Sequence, residues 1–149
     1  MNRRNHNPDT PAGKDYGPFP LALNIHAFAE RNTNYRTALW TGDHLQVTLM
    51  SIPVRGDIGL EMHSHLDQFI GVESGCALVL MGNNPAKLNN QQKVTGNYAI
   101  IIPAGTWHNV INTGNRPLKL YSIYAPPQHP FGTIHPTKED ADDHPHPRA

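Results

Sequence analysis

The sequence predicts an all-β fold, an antiparallel sandwich or barrel, from two observations. Apolar residues in the middle of the chain alternate with a period of two, as in Leu45, Val47 and Leu49, which is the period of a half-buried strand. Clusters of Gly, Pro and Asn interrupt these runs about every 8–12 residues, as in sandwiches and barrels. A chain of 149 residues has room for one domain of ordinary size.

The predicted elements follow in order. A helix of at most two turns is expected at residues 25–31, and Ser74 and Gly75 form a two-residue link that predicts a β-hairpin between the runs on either side. Turn clusters separate the later runs. Strands are predicted at residues 45–50, 68–73, 76–81, 98–102, 107–112 and 118–125.

Proline divides the chain into three parts. Ten of the 14 prolines lie in residues 1–20 and 126–149, and both ends are polar. Such segments bury too little apolar surface to offset chain entropy, so we expect both to be extended or disordered. The predicted folding unit is residues 21–125. His6, His129, His135, His144 and His146 lie in the two ends and are predicted to be solvated surface residues.

Composition excludes several classes of protein. Lys+Arg and Asp+Glu are 12 each, which argues against binding nucleic acid by bulk positive charge. No apolar run is long enough to span a bilayer, and the first residues do not resemble a signal peptide, so we expect a cytoplasmic protein. A single cysteine, Cys76, excludes a disulfide framework and is expected in the core.

Histidine is the abundant reactive residue, with ten in the chain. If residues 59–68 form a strand, Glu61, His63 and His65 share one face, and the two imidazoles lie about 7 Å apart along it. Both then reach a single metal ion, although in a chain with ten histidines the pair is also explained by chance. A second histidine, His108, begins a strand after a Pro-x-Gly turn, on the same face as Val110 and Asn112.

These two segments resemble the motifs of the cupins. The cupin motifs are G-x5-H-x-H-x(3,4)-E-x6-G and G-x5-P-x-G-x2-H-x3-N. The resemblance covers residues 40–125 and is closest to small single-domain bacterial cupins. It implies an antiparallel jelly-roll barrel, also called a double-stranded β-helix. The matching residues are His63, His65 and Gly75 in the first motif, and Pro103, Gly105, His108 and Asn112 in the second.

The match departs from the family at a metal ligand. Gln68 stands where the family has Glu, counting back from Gly75, and its spacing from His65 is one residue short. A neutral amide would leave a divalent ion its full charge, which favours an anionic substrate or a bound hydroxide. Glu61 or Asp67 are alternative sources of negative charge. Glu61 is equally well explained as a barrel-mouth carboxylate paired with a basic residue, and Asp67 as a turn residue.

The resemblance implies a divalent transition metal (Fe, Mn, Zn, Ni, Co or Cu) held by His63, His65 and His108, with Gln68 either as a weak fourth ligand or as an outer contact of the site. Gln68, Glu61 and Tyr124 are the candidate catalytic residues, and Tyr121 is the alternative to Tyr124 because strand parity does not decide which tyrosine faces the cavity. We expect a metal-dependent enzyme acting on a small molecule in the barrel, with dioxygenase-type chemistry favoured. The alternatives are a sugar isomerase or epimerase and a non-catalytic binding or sensing module.

The resemblance also implies a homodimer. Cupin barrels commonly pair through their sheets, and residues 35–40 are predicted to supply an edge strand to the partner.

Overall fold

The computed structural model describes residues 14–143. The predictions for residues 1–13 and 144–149, including those for His6, His144 and His146, lie outside the described residues. The elements of the described part, in chain order, are α1 (Ile25–Arg31), β1 (Arg36–Thr41), β2 (Gln46–Ile52), β3 (Asp67–Ser74), β4 (Cys76–Gly82), β5 (Asn90–Thr95), β6 (Ala99–Ile102), β7 (Trp107–Asn112), β8 (Leu118–Ala125), β9 (Ile134–His135) and α2 (Lys138–Asp143).

The strands form two antiparallel sheets, as the all-β prediction requires. The larger sheet has the order β6-β3-β8-β2-β1-β9 and the smaller has the order β5-β4-β7. Residues 57 and 61 form isolated bridges to β7 and so continue the smaller sheet beyond its last strand. An apolar core, including Ile70, Val79 and Leu120, fills the space between the sheets. The architecture is the double-stranded β-helix expected from the motifs.

The predicted hairpin at Ser74 and Gly75 is wrong. β3 pairs with β6 and β8, whereas β4 pairs with β5 and β7, so the short link carries the chain from one sheet to the other. Gly75 has φ +106°, and a Cβ there would lie 3.1 Å from the Leu118 backbone. Two strands joined by a tight turn have the same sequence pattern whether they pair with each other or belong to different sheets. The pattern predicts the strands and the turn, but not the strand with which each one pairs.

The alternating residues of β2 use both faces of the sheet. Leu49 and Val47 pack outside the barrel against Ala29 of α1. The other face of β2 points inward and begins with polar residues, Gln46 and Thr48, both fully buried. A polar inner face is unusual for a packed core, since each buried polar group needs a partner.

The C-terminal segment, residues 126–143, packs on the barrel, unlike the extended tail predicted for residues 126–149. β9 pairs with β1, with His135 opposite Arg36. His129 and His135 are only 7% and 5% exposed, so the prediction that they are solvated is wrong. The backbone carbonyl of His129 accepts a hydrogen bond from Gln46 Nε2 at 2.9 Å. The polar composition of this segment led to the wrong prediction, because hydrogen bonds to the sheet, rather than apolar burial, hold the segment in place.

The N-terminal segment is also fixed from residue 14 onward. The amide of Tyr16 donates to the Leu39 carbonyl at 2.9 Å. The Asp15 carboxylate accepts from Thr41 Oγ1 at 2.6 Å and from the Gly132 amide at 3.0 Å. Together with β9, these contacts occupy the outer edge of β1, where the partner strand of a dimer was expected to pair.

Neither helix within residues 14–143 combines the length and apolar character needed to cross a bilayer.

Candidate metal centre

Glu61 and His108 face each other across the edge of the smaller sheet. The Glu61 amide donates to the His108 carbonyl at 3.0 Å, and the His108 amide donates to the Glu61 carbonyl at 2.9 Å. Residues paired in this way project their side chains to the same face. His108 is buried and shares its inner face on β7 with Val110 and Asn112, as their spacing predicts.

His63 reaches the same place because the chain around it is tied to the second motif. Its carbonyl accepts a hydrogen bond from the Gly105 amide at 2.8 Å. Gly105 sits in the Pro-x-Gly turn with φ +83°, a conformation that favours glycine. The turn before His108 thus anchors the backbone of His63 and brings the two motifs together.

The segment from Gly59 to Gln68 is not the continuous strand that was predicted. Only Glu61 makes a bridge, and the chain bends at Ser64 and His65 before β3 begins. The face relation of a strand therefore holds for Glu61 and His63 but ends before His65. His65 is exposed, and its Nδ1 lies 2.6 Å from Ser64 Oγ.

Glu61, His63 and His108 form a cluster whose ligand atoms all lie within 4.8 Å of one another. Glu61 Oε1 is 3.4 Å from His63 Nε2 and 3.5 Å from His108 Nε2. Two donors bound to one transition-metal ion at about 2.1 Å each are at most about 4.2 Å apart, so both separations suit a shared ion. His65 is not part of the cluster.

The two imidazole nitrogens that face Glu61 are buried, and neither has a hydrogen-bond partner within residues 14–143. Separations of 3.4 and 3.5 Å are too long for good N–H···O hydrogen bonds. Buried nitrogens without partners are costly unless a ligand occupies the space between them. The residues present therefore fit a metal ion.

The hydrogen bond on the far side of the His108 ring fixes the orientation of the ring. Nδ1 lies 2.9 Å from the Thr106 carbonyl oxygen, which only accepts. Nδ1 therefore donates to that oxygen, and Nε2 is the ring nitrogen that faces Glu61. This is the usual outer contact of a metal-binding histidine.

Glu61 is ionised in this environment. Burial raises the pKa of its carboxyl group, but the His108 and His63 imidazoles that face it lower the pKa by more. The pKa of Glu61 is therefore held well below its ordinary value. The carboxylate supplies the negative charge that Gln68 lacks, and no Lys or Arg of the described chain forms an ion pair with it.

Gln68 also points into the barrel. Its Nε2 donates to Ser122 Oγ at 2.8 Å, while its Oε1 is buried and lacks a partner among the described residues. This arrangement leaves the amide oxygen, the atom that can bind a cation, free. Asp67, the other alternative for the missing charge, is exposed and accepts from the Ala104 amide at 2.9 Å, which is a turn contact.

Tyr124 lies beside the cluster. It is 1% exposed, and its ring packs edge-on against His63 at 6.1 Å and against His129 at 5.1 Å between centroids. Burial raises the pKa of its hydroxyl, and the charge of Arg36 opposes that shift. The ring thus forms a wall between the metal cluster and the C-terminal segment.

One spacing in the sequence points to this set of residues. The family motif has four residues at most between its second histidine and its glutamate, and four residues separate His63 from Gln68. Counted this way, Glu61 takes the place of the first histidine and His63 the place of the second. With His65 as the second ligand, the spacing to Gln68 is one residue too short for the motif, so the spacing favours His63.

The arrangement of motifs and strands is matched by known proteins. The model of the cupin domain matches residues 48–124, about half of the chain. The crystal structure of BH2720 from Bacillus halodurans is 64% identical, with a TM-score of 0.87, and the match covers 87% of this chain and 98% of that one. A Klebsiella pneumoniae protein with a double-stranded β-helix domain is 18% identical, with a TM-score of 0.59, over 90% of this chain and 98% of that one.

A curated relative agrees with these matches. The Bacillus subtilis protein named "Uncharacterized protein YrkC" is 60% identical over 128 residues, covering 86% of this chain and 69% of that protein. The family model, this relative and the shared β-helix point to the same conclusion, and the chain belongs to the cupin family.

Proposed function

We propose that the protein is a metal-dependent enzyme that acts on a small molecule inside the barrel. The observation that carries the proposal is the cluster of Glu61, His63 and His108, whose two buried ring nitrogens have no other partner in the described chain. Gln68 Oε1 is the candidate fourth ligand because it too is buried and unpartnered there.

The ligand types favour iron among the transition metals. Two imidazoles and one carboxylate with open positions are typical of non-haem iron(II) oxygenases, whereas the absence of thiolates argues against a structural zinc site. A bound ion of this kind supplies open coordination positions for oxygen and substrate. Dioxygenase-type chemistry is therefore our favoured assignment, and Mn, Zn, Ni, Co and Cu remain alternatives for the ion.

The protein's own groups prepare the site in three ways. Thr106 holds the His108 ring with Nε2 inward, and Gly105 holds the His63 backbone. Ser122 orients the Gln68 amide. Tyr124 shields one side of the His63 ring from water, since it is almost completely buried.

The test is the metal content of purified variants. We expect the wild-type protein to bind about one ion per chain and the His63→Ala/His108→Ala double variant to bind none, because two of three strong ligands are lost. The matched control is His65→Ala, an exposed histidine two residues away, which should keep its metal. Unchanged stoichiometric metal in the double variant would refute the proposal, and loss of metal in His65→Ala would return the site to the His63 and His65 pair.

A further inference from the structure

A buried arginine, Arg36, faces the inside of the barrel from β1. Ala38 of β1 is paired with Thr48, so its side chain lies on the same inner face of the sheet. Arg36 lies two residues before Ala38 on β1 and therefore shares that face. Thr48 is paired in turn with Ser122, whose hydroxyl holds Gln68. Arg36 and Gln68 are therefore on the same wall of the barrel.

The guanidinium is positioned but not neutralised. It is on a residue only 5% exposed, Nη1 lies 3.3 Å from His135 Nδ1, and Cζ lies 5.3 Å from the centroid of the Tyr35 ring. Nε is buried, with no hydrogen-bond partner in residues 14–143. The ion pairs of that part of the chain do not include Arg36. Arginine cannot give up its proton in a protein, so a positive charge is held in the interior without a counter-ion.

The charges of Arg36 and Glu61 both act on the hydroxyl groups of Tyr35 and Tyr124. Burial raises the pKa of both Tyr35 and Tyr124, while the Arg36 charge lowers them and the Glu61 charge raises them. The same two rings therefore lie within range of both the guanidinium and the metal-site carboxylate. Tyr124 also contacts His63 directly, at 6.1 Å between ring centroids.

A buried cation without a counter-ion is costly to fold, and the cost is recovered when an anion binds. The planar guanidinium presents its N–H groups as a fork that matches a carboxylate, and the buried Nε–H is one arm of that fork. His135 and Tyr35 fix the plane of the guanidinium, so little side-chain freedom is lost on binding.

We propose that Arg36 is the binding site for a carboxylate group of the small molecule that enters the barrel. The proposal rests on the proposed function in one respect, since the remainder of that molecule would lie at the metal centre. It assigns the substrate class as small carboxylic acids, and it gives Arg36 the role of a specificity residue rather than a metal ligand.

The test uses Mn²⁺-loaded protein and isothermal titration with malonate and succinate. The neutral probes are malonamide and succinamide, and inorganic phosphate serves as the other oxyanion. We expect at least one dicarboxylate to bind about tenfold or more tightly than its diamide and than phosphate. Arg36→Gln should weaken that binding about tenfold or more and leave the bound metal unchanged. The matched control is Arg116→Gln, the same change at an exposed arginine, which should bind as the wild type does.

Equal affinity for dicarboxylates and diamides in the wild-type protein would overturn the proposal without any variant, so a failure of Arg36→Gln to fold does not block the test. A preference for phosphate, or unchanged binding in a folded Arg36→Gln protein, would overturn it as well. The metal content separates this result from the proposed function. A protein that binds metal but ignores carboxylates refutes only the role of Arg36, whereas Arg36-dependent carboxylate binding in a protein that takes up no metal refutes only the metal centre.

Discussion

At the scale of single residues, Glu61 and Gln68 have different roles in the cluster. Glu61 faces both imidazoles and is ionised, whereas Gln68 contributes a neutral amide oxygen from the larger sheet. A divalent ion held here would therefore meet one negative charge, supplied by the smaller sheet. The charge that a typical cupin places on β3 is thus moved across the barrel.

An exchange of the two side chains tests whether Glu61 supplies the negative charge and Gln68 a neutral ligand. Glu61→Gln should weaken metal binding about tenfold or more, because the only carboxylate of the cluster is lost. Adding Gln68→Glu to that variant should restore most of the affinity, since it returns a carboxylate to the barrel. Competition with a fluorescent chelator measures both. A double variant no better than Glu61→Gln would show that Gln68 does not reach the ion, and Gln91→Glu, an exposed position, is the control.

Sequence reasoning identified part of this site. Strand parity placed Glu61 with His63, and the second motif placed His108, because both signals are local. The structure does not bring His65 to the cluster, since the bend at Ser64 ends the alternation on which its assignment depended. Arg36 belongs to no sequence motif that predicts a role for it. Its importance comes from burial without a counter-ion, which depends on strand pairings distant in sequence.

At the scale of elements, α2 is fastened to the segment that carries Glu61. Lys138 Nζ lies 2.5 Å from Asp57 Oδ1, and Asn109 Nδ2 donates to Asp57 Oδ2 at 2.9 Å. Asp57 in turn bridges to Ile111 of β7. The contact therefore joins α2 to the strand that holds His108.

The stability given by this contact should depend on pH. Burial raises the pKa of Asp57, but its hydrogen bonds with Lys138 and Asn109 lower it by more, to below the ordinary value of 3.8. A carboxyl group with a lowered pKa stabilises the folded state above its ordinary pKa and loses that effect as the pH falls. Asp57→Asn should therefore lower the free energy of unfolding by up to about 1 kcal/mol at neutral pH, and the difference should shrink below pH 3.8.

Urea unfolding between neutral pH and pH 3 measures this difference. Asp142→Asn changes an exposed carboxylate on α2 and should alter the free energy of unfolding by less than about 0.5 kcal/mol. A difference between wild type and Asp57→Asn that stays constant across the range would contradict the assignment.

Elements with a local signal were predicted well. α1, β7 and β8 have the predicted bounds, because an amphipathic run between turn residues determines each one. β5, β9 and α2 were not predicted. Five of the six residues of β5 are polar and exposed to solvent, and β9 has only two residues. Neither strand therefore has an alternating apolar pattern. Pairing with neighbouring strands, rather than composition, orders them.

At the scale of the whole molecule, the C-terminal segment belongs to the barrel. It closes the edge of β1, buries His129 against Tyr124 and places His135 against Arg36. A dimer, which the family resemblance favours, would have to use a surface other than the covered edge of β1. The all-β class followed from the period of two, but the extent of the domain did not, because Pro-rich polar segments give no sign of where they pack.

Removal of residues 126–149 tests this role. The shortened chain should be strongly destabilised, because it exposes the polar edge of β1 and leaves Gln46 and Arg36 without their partners. Removal of residues 144–149 alone is the matched control and should leave the melting temperature unchanged within a few degrees. Differential scanning calorimetry measures both, and a chain ending at residue 125 that melts like the wild type would contradict the account.

The central claim is that one metal ion is held jointly by the segment that carries Glu61 and His63 and by β7, which carries His108. The most direct measurement is a crystal structure of the Mn²⁺-loaded protein with anomalous scattering recorded for manganese. The account predicts one strong anomalous peak within about 2.3 Å of Glu61 Oε1, His63 Nε2 and His108 Nε2. A peak held by His65, or a barrel with no peak at this cluster in protein shown to contain manganese, would contradict it.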